Sequence, residues 1–332
     1  MIPDTGPHSF GHAVVVIGRN EGERLRRCLS SVVPQAALVV YVDSGSTDGS
    51  PSLARSLGAE VVDLDMNVAF TAARARNEGF RRVQRLLPDV QFVQFVDGDC
   101  EVAASWMGAA TEFLLANPNV AAVCGRRRER FPERSVYNRL CDSEWNTPIG
   151  ETKSCGGDVL MRAAALNQVG GYRDQMIAGE EPELCVRLRG RGWRIWRLDA
   201  EMTLHDAAMT RWSQWWRRTT RTGYAFAEGA ALHGAPPERH KVRASRSAWF
   251  WGVGLPAGIV LLSLIVGPMA LLGLLVYPAQ VLRLCAKGSG PVGDRMTHAL
   301  FLVMAKFPEA VGQIKFVLNR RSGAVARIIE YK

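Results

Sequence analysis

The chain has 332 residues, 47% of them hydrophobic, and 41 Lys and Arg residues against 32 Asp and Glu residues give a formal charge of +9. This length suggests about two domains, and the apolar share excludes a disordered or fibrous protein. Residues 1–206 hold 24 basic and 27 acidic residues (−3), whereas residues 207–332 hold 17 and 5 (+12). The basic excess therefore lies beside the most apolar stretch, which favours a membrane surface over nucleic acid as a partner.

The seven cysteines form no C-x-x-C pair and no Cys/His cluster in the sequence. A disulfide framework or a structural zinc site is therefore not expected, and reduced thiols in a cytosolic setting fit better. The first residues, MIPDTGPHSFGH, do not join a basic region to an apolar core, which predicts no signal peptide.

Short β-branched runs alternate with helical patterns in the first hundred residues. Strands are predicted at 12–18, 38–42, 60–64 and 91–96, and helices at 19–33, 51–58 and 71–87. This alternation predicts an α/β domain with a mostly parallel sheet, and ligands of such sheets bind at the carboxyl ends of the strands. Asp43 and Asp97 both follow a predicted strand directly.

The pattern is less regular after residue 125. No element is predicted for the polar residues 125–155. The remaining elements, in chain order, are a Gly-rich loop, short helix and Gly-Gly stop over 155–172, a helix at 180–190, a strand at 193–198, an amphipathic helix at 210–232, and a last helix at 297–319 before the tail IIEYK.

A run of about 36 residues, 247–282, contains no charged residue, and about 20 apolar residues are enough to span a bilayer. One interpretation is a single tilted span. The favoured one is a hairpin of 249–266 and 269–284 that turns at Gly267-Pro268, because it leaves the basic flanks on one side. A buried core helix is the alternative outside a membrane. We expect attachment to the cell inner membrane, with residues 1–206 in the cytoplasm.

The pair Asp97 and Asp99, in VDGDC at the end of a predicted strand, is the first motif with chemical content. Two carboxylates at this spacing can coordinate a hard divalent cation that bridges a diphosphate. An ordinary acidic turn has the same spacing.

Five segments, in order, resemble family 2 glycosyltransferases of the GT-A fold. They are VVVIGRNEGERLRRCLSSV (first strand and helix), VDSGSTDGS (V-D-D-G-S-T-D), NVAFTAARARNEGF (ending A-R-N-x-G), FVDGDC (ending D-x-D) and GEEPELCVRLRGRGWRI (E-D-x-D-L-x-x-R-L-x-x-x-G). Each motif alone is weak, but five in order are specific. The resemblance covers roughly residues 12–206 and implies a GT-A catalytic domain at 1–206. The residue patterns beyond it predict an interfacial helix and linker at 207–246, a transmembrane segment or hairpin at 247–284, and a basic helix and tail at 285–332.

The resemblance implies a nucleotide-sugar site and a metal site. Asp43 would hydrogen-bond the base of the donor. The other donor-side residues would be Arg19, Asn20 and Glu21 through their backbone, Arg76 at the nucleotide or its phosphates, and Asp97 at the ribose or metal. Asp99 and His205 would bind Mg²⁺ or Mn²⁺. The alternatives are a surface charge for Arg76 and a structural role for His205.

The acidic pair in GEEPEL would supply the catalytic base. The resemblance places it at Glu181, where the family has Asp, and Glu180 is the competing residue. Pro182 suits the first turn of a helix, which would favour the ionised form of the pair at its N-terminus. On the acceptor side, Gly156, Gly157 and Asp158 would approach a sugar, unless they form only a tight turn before a helix.

Two basic segments remain. The arginine run at 126–130 is typical of a solvated face, with an anionic acceptor as the alternative partner. The Trp- and Arg-rich residues 211–226 suit a bilayer interface, and holding the diphosphate of a lipid-linked acceptor is the second interpretation. The order of their residues departs from the Q-x-x-R-W segment of processive synthases, so processivity has no support.

The resemblance implies an inverting transfer of a sugar, with a UDP-sugar as the expected donor, to a hydroxyl of a lipid-linked saccharide or a polysaccharide. Membrane lipid, the acceptor and polysaccharide-assembly proteins are the expected partners, and nucleic acid is not. The alternatives are a sugar-1-phosphate nucleotidyltransferase and an inactive scaffold that binds nucleotide sugar or membrane. A dinucleotide oxidoreductase is disfavoured because no G-x-G-x-x-G follows the first strand.

Overall fold

A computed structural model describes residues 11–323 and 328–329. The chain divides into two compact units, Met1–Thr210 and Arg211–Lys332, whereas the sequence predicts the end of the catalytic domain at 206. The N-terminal residues 1–10, to which the signal-peptide prediction applies, and most of the IIEYK tail lie outside the described residues.

The first unit is built on a mixed sheet. Its strands are β1 (His12–Gly18), β2 (Leu38–Asp43), β3 (Glu60–Asp63), β4 (Phe92–Asp97), β5 (Cys100–Val102), β6 (Val120–Glu129), β7 (Gly150–Glu151), β8 (Val159–Arg162) and β9 (Arg194–His205). Its helices are α1 (Glu23–Val32), α2 (Ser50–Ser56), α3 (Ala72–Leu86), α4 (Trp106–Ala116), α5 (Val136–Glu144), α6 (Ala163–Val169) and α7 (Glu180–Arg189).

The strand order is β3-β2-β1-β4-β8-β6-β9-β5, with β7 paired to β9. Strands β3, β2, β1 and β4 are parallel, whereas β8 runs antiparallel to both β4 and β6. The α/β class is thus confirmed, but the sheet is mixed: the first half is parallel, and in the second half only β6 and β9 pair in parallel. In that half Gly18 lies beside Asp43 and Ile17 beside Asp97, so both aspartates reach the same edge.

Apolar layers cover both faces of the sheet. Successive side chains of a strand point to opposite faces, and in β1 Val15 packs in one cluster while Val14 and Val16 pack in the other. Helix α3 lies so close to the sheet that a Cβ at Gly79 would be 2.3 Å from Val15 Cγ1. Only glycine fits there, and this contact sets how closely α3 packs on the sheet.

The elements depart from the predicted ones where polar residues carry the structure. Helix α1 begins at Glu23 and not at residue 19, because Asn20 and Gly22 have φ of 55° and 50° and form a turn. Strand β6 extends to Glu129 and β9 to His205, so polar residues beyond the predicted elements are paired strands. The polar residues 125–155 also contain α5, and part of the predicted Gly-rich loop is strand β8.

The second unit is helical. Its helices are α8 (Trp212–His233), α9 (Val242–Trp249), α10 (Leu255–Val266), α11 (Val276–Lys287), α12 (Val292–Met304) and α13 (Lys306–Ser322), with a π-helical turn at Phe250–Gly254 and a 3₁₀ segment at Pro268–Leu275. The single predicted last helix is two helices, α12 and α13, that meet at Ala305. Pro308 lacks an amide hydrogen and its ring clashes with the preceding turn of a continuous helix.

The apolar run folds into an antiparallel pair of helical arms that reverse at Gly267, whose φ is 97°. Tyr277 Oη donates a hydrogen bond to the Trp251 carbonyl at 2.6 Å, and a Cβ at Gly273 would lie 3.3 Å from Ile259. The arms Val242–Val266 and Pro268–Lys287 are long and apolar enough to cross a membrane. Length and composition alone are weak evidence of a span, but their most apolar windows are only 6% and 11% buried, which argues against a core helix.

Candidate active site

Asp43 ends β2 with a buried carboxylate. Its oxygens accept hydrogen bonds from the amides of Gly45 (2.9 Å) and Ser46 (2.7 Å) and from Tyr41 Oη (2.9 Å). Burial, with the neighbouring carboxylate, raises the pKa of Tyr41, so its phenol remains a donor to Asp43. The carboxylate thus shapes the turn after β2, and its contact with a nucleotide base stays a prediction.

The loop after β1 is tied to the loop after β2. The side-chain Oδ1 of Asn20 accepts a hydrogen bond from the backbone amide of Thr47 at 2.7 Å. The backbone amide of Asn20 donates to Ser46 Oγ at 2.9 Å. The Gly22 amide donates to Asp48 Oδ2 at 3.0 Å. These bonds explain why residues 19–22 leave the helical pattern, because their backbone is held by the neighbouring loop.

Arg19 and Glu21 belong to the same loop. The Arg19 guanidinium lies 5.0 Å from the centre of the Phe70 ring, and Glu21 pairs with Arg24 at 2.8 Å. The structure therefore places Arg19, Asn20 and Glu21 next to the turn that Asp43 holds, and their contacts with a donor remain predicted.

Arg76 joins two groups that are distant in sequence. From α3 it donates Nη1 to Glu180 Oε1 at 2.6 Å and Nη2 to Asp97 Oδ1 at 2.8 Å, with its side chain 2% exposed. Burial acts to lower the pKa of Arg76, but the two carboxylates outweigh it and raise that pKa. The alternative of a surface helix charge is therefore wrong for Arg76.

Asp97 has a second arginine partner, Arg127, and Asp158 contacts both of these residues. Arg127 lies 3.4 Å from Asp97 Oδ2 and 3.3 Å from Asp158 Oδ2. Asp158 is fully buried and accepts hydrogen bonds from the Asp97 amide (3.1 Å) and Thr203 Oγ1 (2.8 Å). The expectation that Asp158 approaches an acceptor sugar is corrected, because protein groups occupy its carboxylate on every side and it positions Asp97 and Arg127 instead.

The two glycines before Asp158 lie beside these charges. A Cβ at Gly157 would be 2.9 Å from both Arg76 Nη2 and Asp97 Oδ2, and Gly156 has a φ of 102°. Glycine is required at 157 by the close approach and is favoured at 156 by the backbone conformation. The loop thus packs directly against the Arg76–Asp97 ion pair. Contact of this loop with an acceptor stays a prediction.

Asp99 and His205 form a group with metal-ligating chemistry. Asp99 Oδ2 lies 3.3 Å from His205 Nε2, and ligand atoms of Asp99, Cys100 and His205 lie within 4.8 Å of one another. His205 Nδ1 lies 3.4 Å from Glu129 Oε2, the kind of outer carboxylate that orients a metal-binding histidine. Burial and then the nearby Arg127 lower the pKa of His205, so its imidazole is neutral, as a ligand must be.

This donor set fits a divalent ion that accepts carboxylate and imidazole ligands, as Mn²⁺ does. Asp97, the third predicted ligand, is not in the group, because its carboxylate pairs with Arg76 and Arg127. Cys100 donates its thiol to Asp99 at 3.5 Å, and burial raises its pKa. The thiol is thus protonated and is not a ligand in that state.

The acidic pair begins α7, as predicted, but its two members differ sharply. Glu181 is 1% exposed and accepts the amides of Cys155 (2.8 Å) and Gly156 (2.9 Å) and the Cys185 thiol (2.9 Å). Burial raises the pKa of Glu181 against these hydrogen bonds.

Glu180 is 14% exposed in its side chain, and among the described residues it pairs with Arg76 through Oε1 alone. A base needs hydrogen-bond reach to the acceptor hydroxyl. On burial and contacts the geometry favours Glu180 over Glu181, and the assignment of the base stays a prediction.

Sequence reasoning missed several residues around the site. Arg126 and Arg127 were expected on a solvated face. Arg126 is buried and pairs with Asp142 at 2.9 Å, and the Arg127 side chain is 15% exposed and pairs with Asp97 and Asp158. Trp145 lies 4.8 Å from both the Arg127 guanidinium and the His205 ring. Simple strand alternation does not predict that both arginines are paired, because they are adjacent in β6 and the strand pairing shifts register between them.

The chain was compared with known proteins. The sequence model of Glycosyl transferase family 2 matches residues 13–157. Among curated relatives, the succinoglycan biosynthesis protein ExoA of Rhizobium meliloti is 30% identical over 203 residues (58% of this chain, 62% of ExoA), and the glycosyltransferase AglE of Haloferax volcanii is 23% identical over 198 residues (55% and 62%). The chain thus spans about three fifths of the length of these relatives.

Among solved structures, the mannosyltransferase PcManGT of Pyrobaculum calidifontis, in complex with GDP-Man and Mn²⁺, superposes with a TM-score of 0.59 at 20% identity. The match covers 93% of this chain and 88% of that one, and at this identity it establishes the fold. Together with the parallel half-sheet and the acidic strand ends, these matches show that residues 13–157 have the sequence pattern of glycosyl transferase family 2 and that the first unit has a GT-A fold.

Proposed function

We propose that this chain transfers a sugar from a nucleoside-diphosphate sugar to a hydroxyl group, with inversion at the sugar carbon. The observation that carries the proposal is the bridge made by Arg76, which joins Asp97 at the D-x-D strand end to Glu180 of the acidic pair. One guanidinium group thus contacts both the carboxylate at the predicted donor site and the carboxylate of the acidic pair. Direct displacement requires this proximity of a base to the donor, and it requires no protein nucleophile.

Glu180 is the proposed base. It lies in the first turn of α7, and its Oε1 is held 2.6 Å from Arg76 Nη1. In the reaction, Glu180 takes the proton of the acceptor hydroxyl as the hydroxyl oxygen bonds to the sugar carbon and the nucleoside diphosphate leaves with the electrons of the broken bond.

Asp99 and His205 would hold a divalent ion, Mg²⁺ or Mn²⁺, which when bound supplies positive charge for the leaving diphosphate. A structurally similar mannosyltransferase was solved with GDP-Man and Mn²⁺, which supports a nucleotide-sugar donor. A UDP-sugar remains the proposed donor. The proposed acceptor is a lipid-linked saccharide or polysaccharide on the cytoplasmic side of the inner membrane, with membrane lipid and polysaccharide-assembly proteins as partners.

The test is product analysis. UDP-, GDP- and dTDP-sugars are each incubated with the chain, Mn²⁺ or Mg²⁺, and membrane extract, and products are identified by mass spectrometry. The anomeric configuration of the product is then read by NMR. We expect one donor to give a glycosylated product with inverted configuration. Release of pyrophosphate from a nucleoside triphosphate and a sugar 1-phosphate would indicate a nucleotidyltransferase instead, and donor binding without any product would indicate an inactive scaffold.

A further inference from the structure

The hairpin of residues 247–287 carries its aromatic and basic side chains at one end. Trp249, Trp251 and Tyr277 lie near its open end, and Arg243, Arg246, Arg283 and Lys287 flank it there. The turn region, residues 260–275, has no charged and no aromatic residue. At the turn, Leu264, Ile265 and Met269 are 78%, 80% and 73% exposed.

Three polar donors of the turn are paired within the hairpin. The Gly267 amide donates to the Ser263 carbonyl and the Ala270 amide donates to the Gly267 carbonyl, both at 3.1 Å. The hydroxyl of Ser263 donates to the Val260 carbonyl at 2.7 Å. These groups need no water, and hydrocarbon tolerates backbone only where its polar groups are paired internally.

The open end has the chemistry of a headgroup region. Tyr277 and Trp251 are joined by the 2.6 Å hydrogen bond, and their rings pack edge to face at 5.9 Å. Tryptophan and tyrosine concentrate at the boundary between hydrocarbon and headgroups. The basic flanks complement the anionic lipids of a cytoplasmic leaflet.

The length of the arm completes the argument. Trp251 to Val266 spans about 22 Å at about 1.5 Å per residue, whereas the hydrocarbon core of a bilayer is about 30 Å thick. With Trp251 at one boundary, the turn ends short of the opposite one. A turn that emerged there would expose Leu264, Ile265 and Met269 to water or headgroups without a polar anchor.

We propose that this hairpin is re-entrant: it enters an anionic bilayer from one side, turns at Gly267-Pro268 within the hydrocarbon, and returns to the same side. The occupant of its exposed apolar surface is lipid acyl chain. This inference does not depend on the proposed transfer reaction, because it rests on the second unit alone.

Sidedness of the turn is the first test. The full chain with Ile265→Cys is expressed, and inverted and right-side-out membrane vesicles are treated with a membrane-impermeant maleimide. The unsubstituted chain measures labelling of native cysteines, and Asp63→Cys, at an exposed position of the first unit, reports the side of that unit. We expect Ile265→Cys to be labelled from neither side and to become labelled in detergent. Labelling from the side opposite Asp63→Cys would mean a spanning hairpin, and labelling from the same side would mean no insertion; either overturns the proposal.

A charge at the turn is the second test, and it needs no cysteine chemistry. Flotation is measured with vesicles of phosphatidylethanolamine and phosphatidylglycerol. Ile265→Lys places a charge at the proposed depth and should lower partitioning on the order of a hundredfold. Leu282→Lys, at an exposed leucine beside Arg283 (61% against 80% for Ile265), should change it by less than about threefold because the charge lies near the headgroups. Equal partitioning of the two variants, or failure of the unsubstituted chain to float, would overturn the proposal.

Discussion

The two units place charged and apolar side chains in opposite ways. In the first unit Arg76, Asp99 and Glu181 are buried with partners at the edge of a sheet whose apolar strands are covered on both faces. In the second unit the turn of the hairpin is apolar and exposed, and charges flank its open end. A buried charge needs a partner, whereas an exposed apolar surface needs a non-aqueous environment. The comparison separates a region of buried, paired charges from one whose exposed apolar surface is proposed to contact lipid.

The strongest test of the first half of this comparison is Glu180→Gln. Loss of the proposed base should lower kcat by about 10²- to 10⁴-fold, while donor binding measured by calorimetry changes little. The matched Glu181→Gln should mainly lower the melting temperature, because the amide nitrogen of glutamine cannot accept the second of the two backbone hydrogen bonds. If Glu181→Gln stops transfer without loss of stability and Glu180→Gln does not, the base is Glu181.

Burial can be tested on neighbouring arginines of one strand. Arg127→Ala should destabilise the protein by about 3–5 kcal/mol, because it leaves the buried carboxylate of Asp158 without its cation. Arg128→Ala removes an exposed pair with Glu201 and should cost less than about 1 kcal/mol. Urea unfolding followed by circular dichroism measures both. Similar losses for the two variants would show that burial does not distinguish these charges.

Metal dependence tests the group around Asp99. Asp99→Ala should reduce metal-dependent turnover of nucleotide sugar by about 10²- to 10³-fold, and Mn²⁺ binding measured by calorimetry should be lost. Asp63→Ala, at an exposed aspartate of the same unit, is the control and should leave both unchanged. Full activity of the Asp99 variant would remove the assignment of the metal to this group.

The smallest expected effect concerns packing in the second unit. Helices α8 and α13 cross so closely that a Cβ at Gly223 would lie 2.0 Å from the Glu309 carbonyl oxygen. Gly223→Ala should therefore cost about 1–3 kcal/mol of stability. Gly108→Ala in α4 has no atom within 4 Å of the added Cβ and should stabilise the first unit by about 0.5–1 kcal/mol. Thermal unfolding compares them, and a neutral Gly223→Ala would mean that the crossing readily loosens.

The sequence predicts the apolar parts of this molecule better than the polar ones. Strand β1 is predicted with its exact bounds and the reversal at Gly267 is anticipated, because periodicity and a Gly-Pro pair are local signals. The end of β6 at Glu129 is missed because its arginines look solvated until their distant partners, such as Asp142, are known. The choice between Glu180 and Glu181 depends on hydrogen bonds from Cys155 and Gly156, about 25 residues away. Local patterns do not contain such contacts.

The contact of Glu181 with the loop before β8 has a mechanical consequence. Its two oxygens receive the amides of Cys155 and Gly156, so lifting this loop would leave a buried carboxylate without its donors, at a cost of about 1–3 kcal/mol for each lost partner. The amide hydrogens of Cys155 and Gly156 should therefore exchange slowly with solvent. We therefore expect this loop to keep its position when a ligand binds. Specificity for a ligand on that side would then depend on the shape of the loop and not on a closing motion.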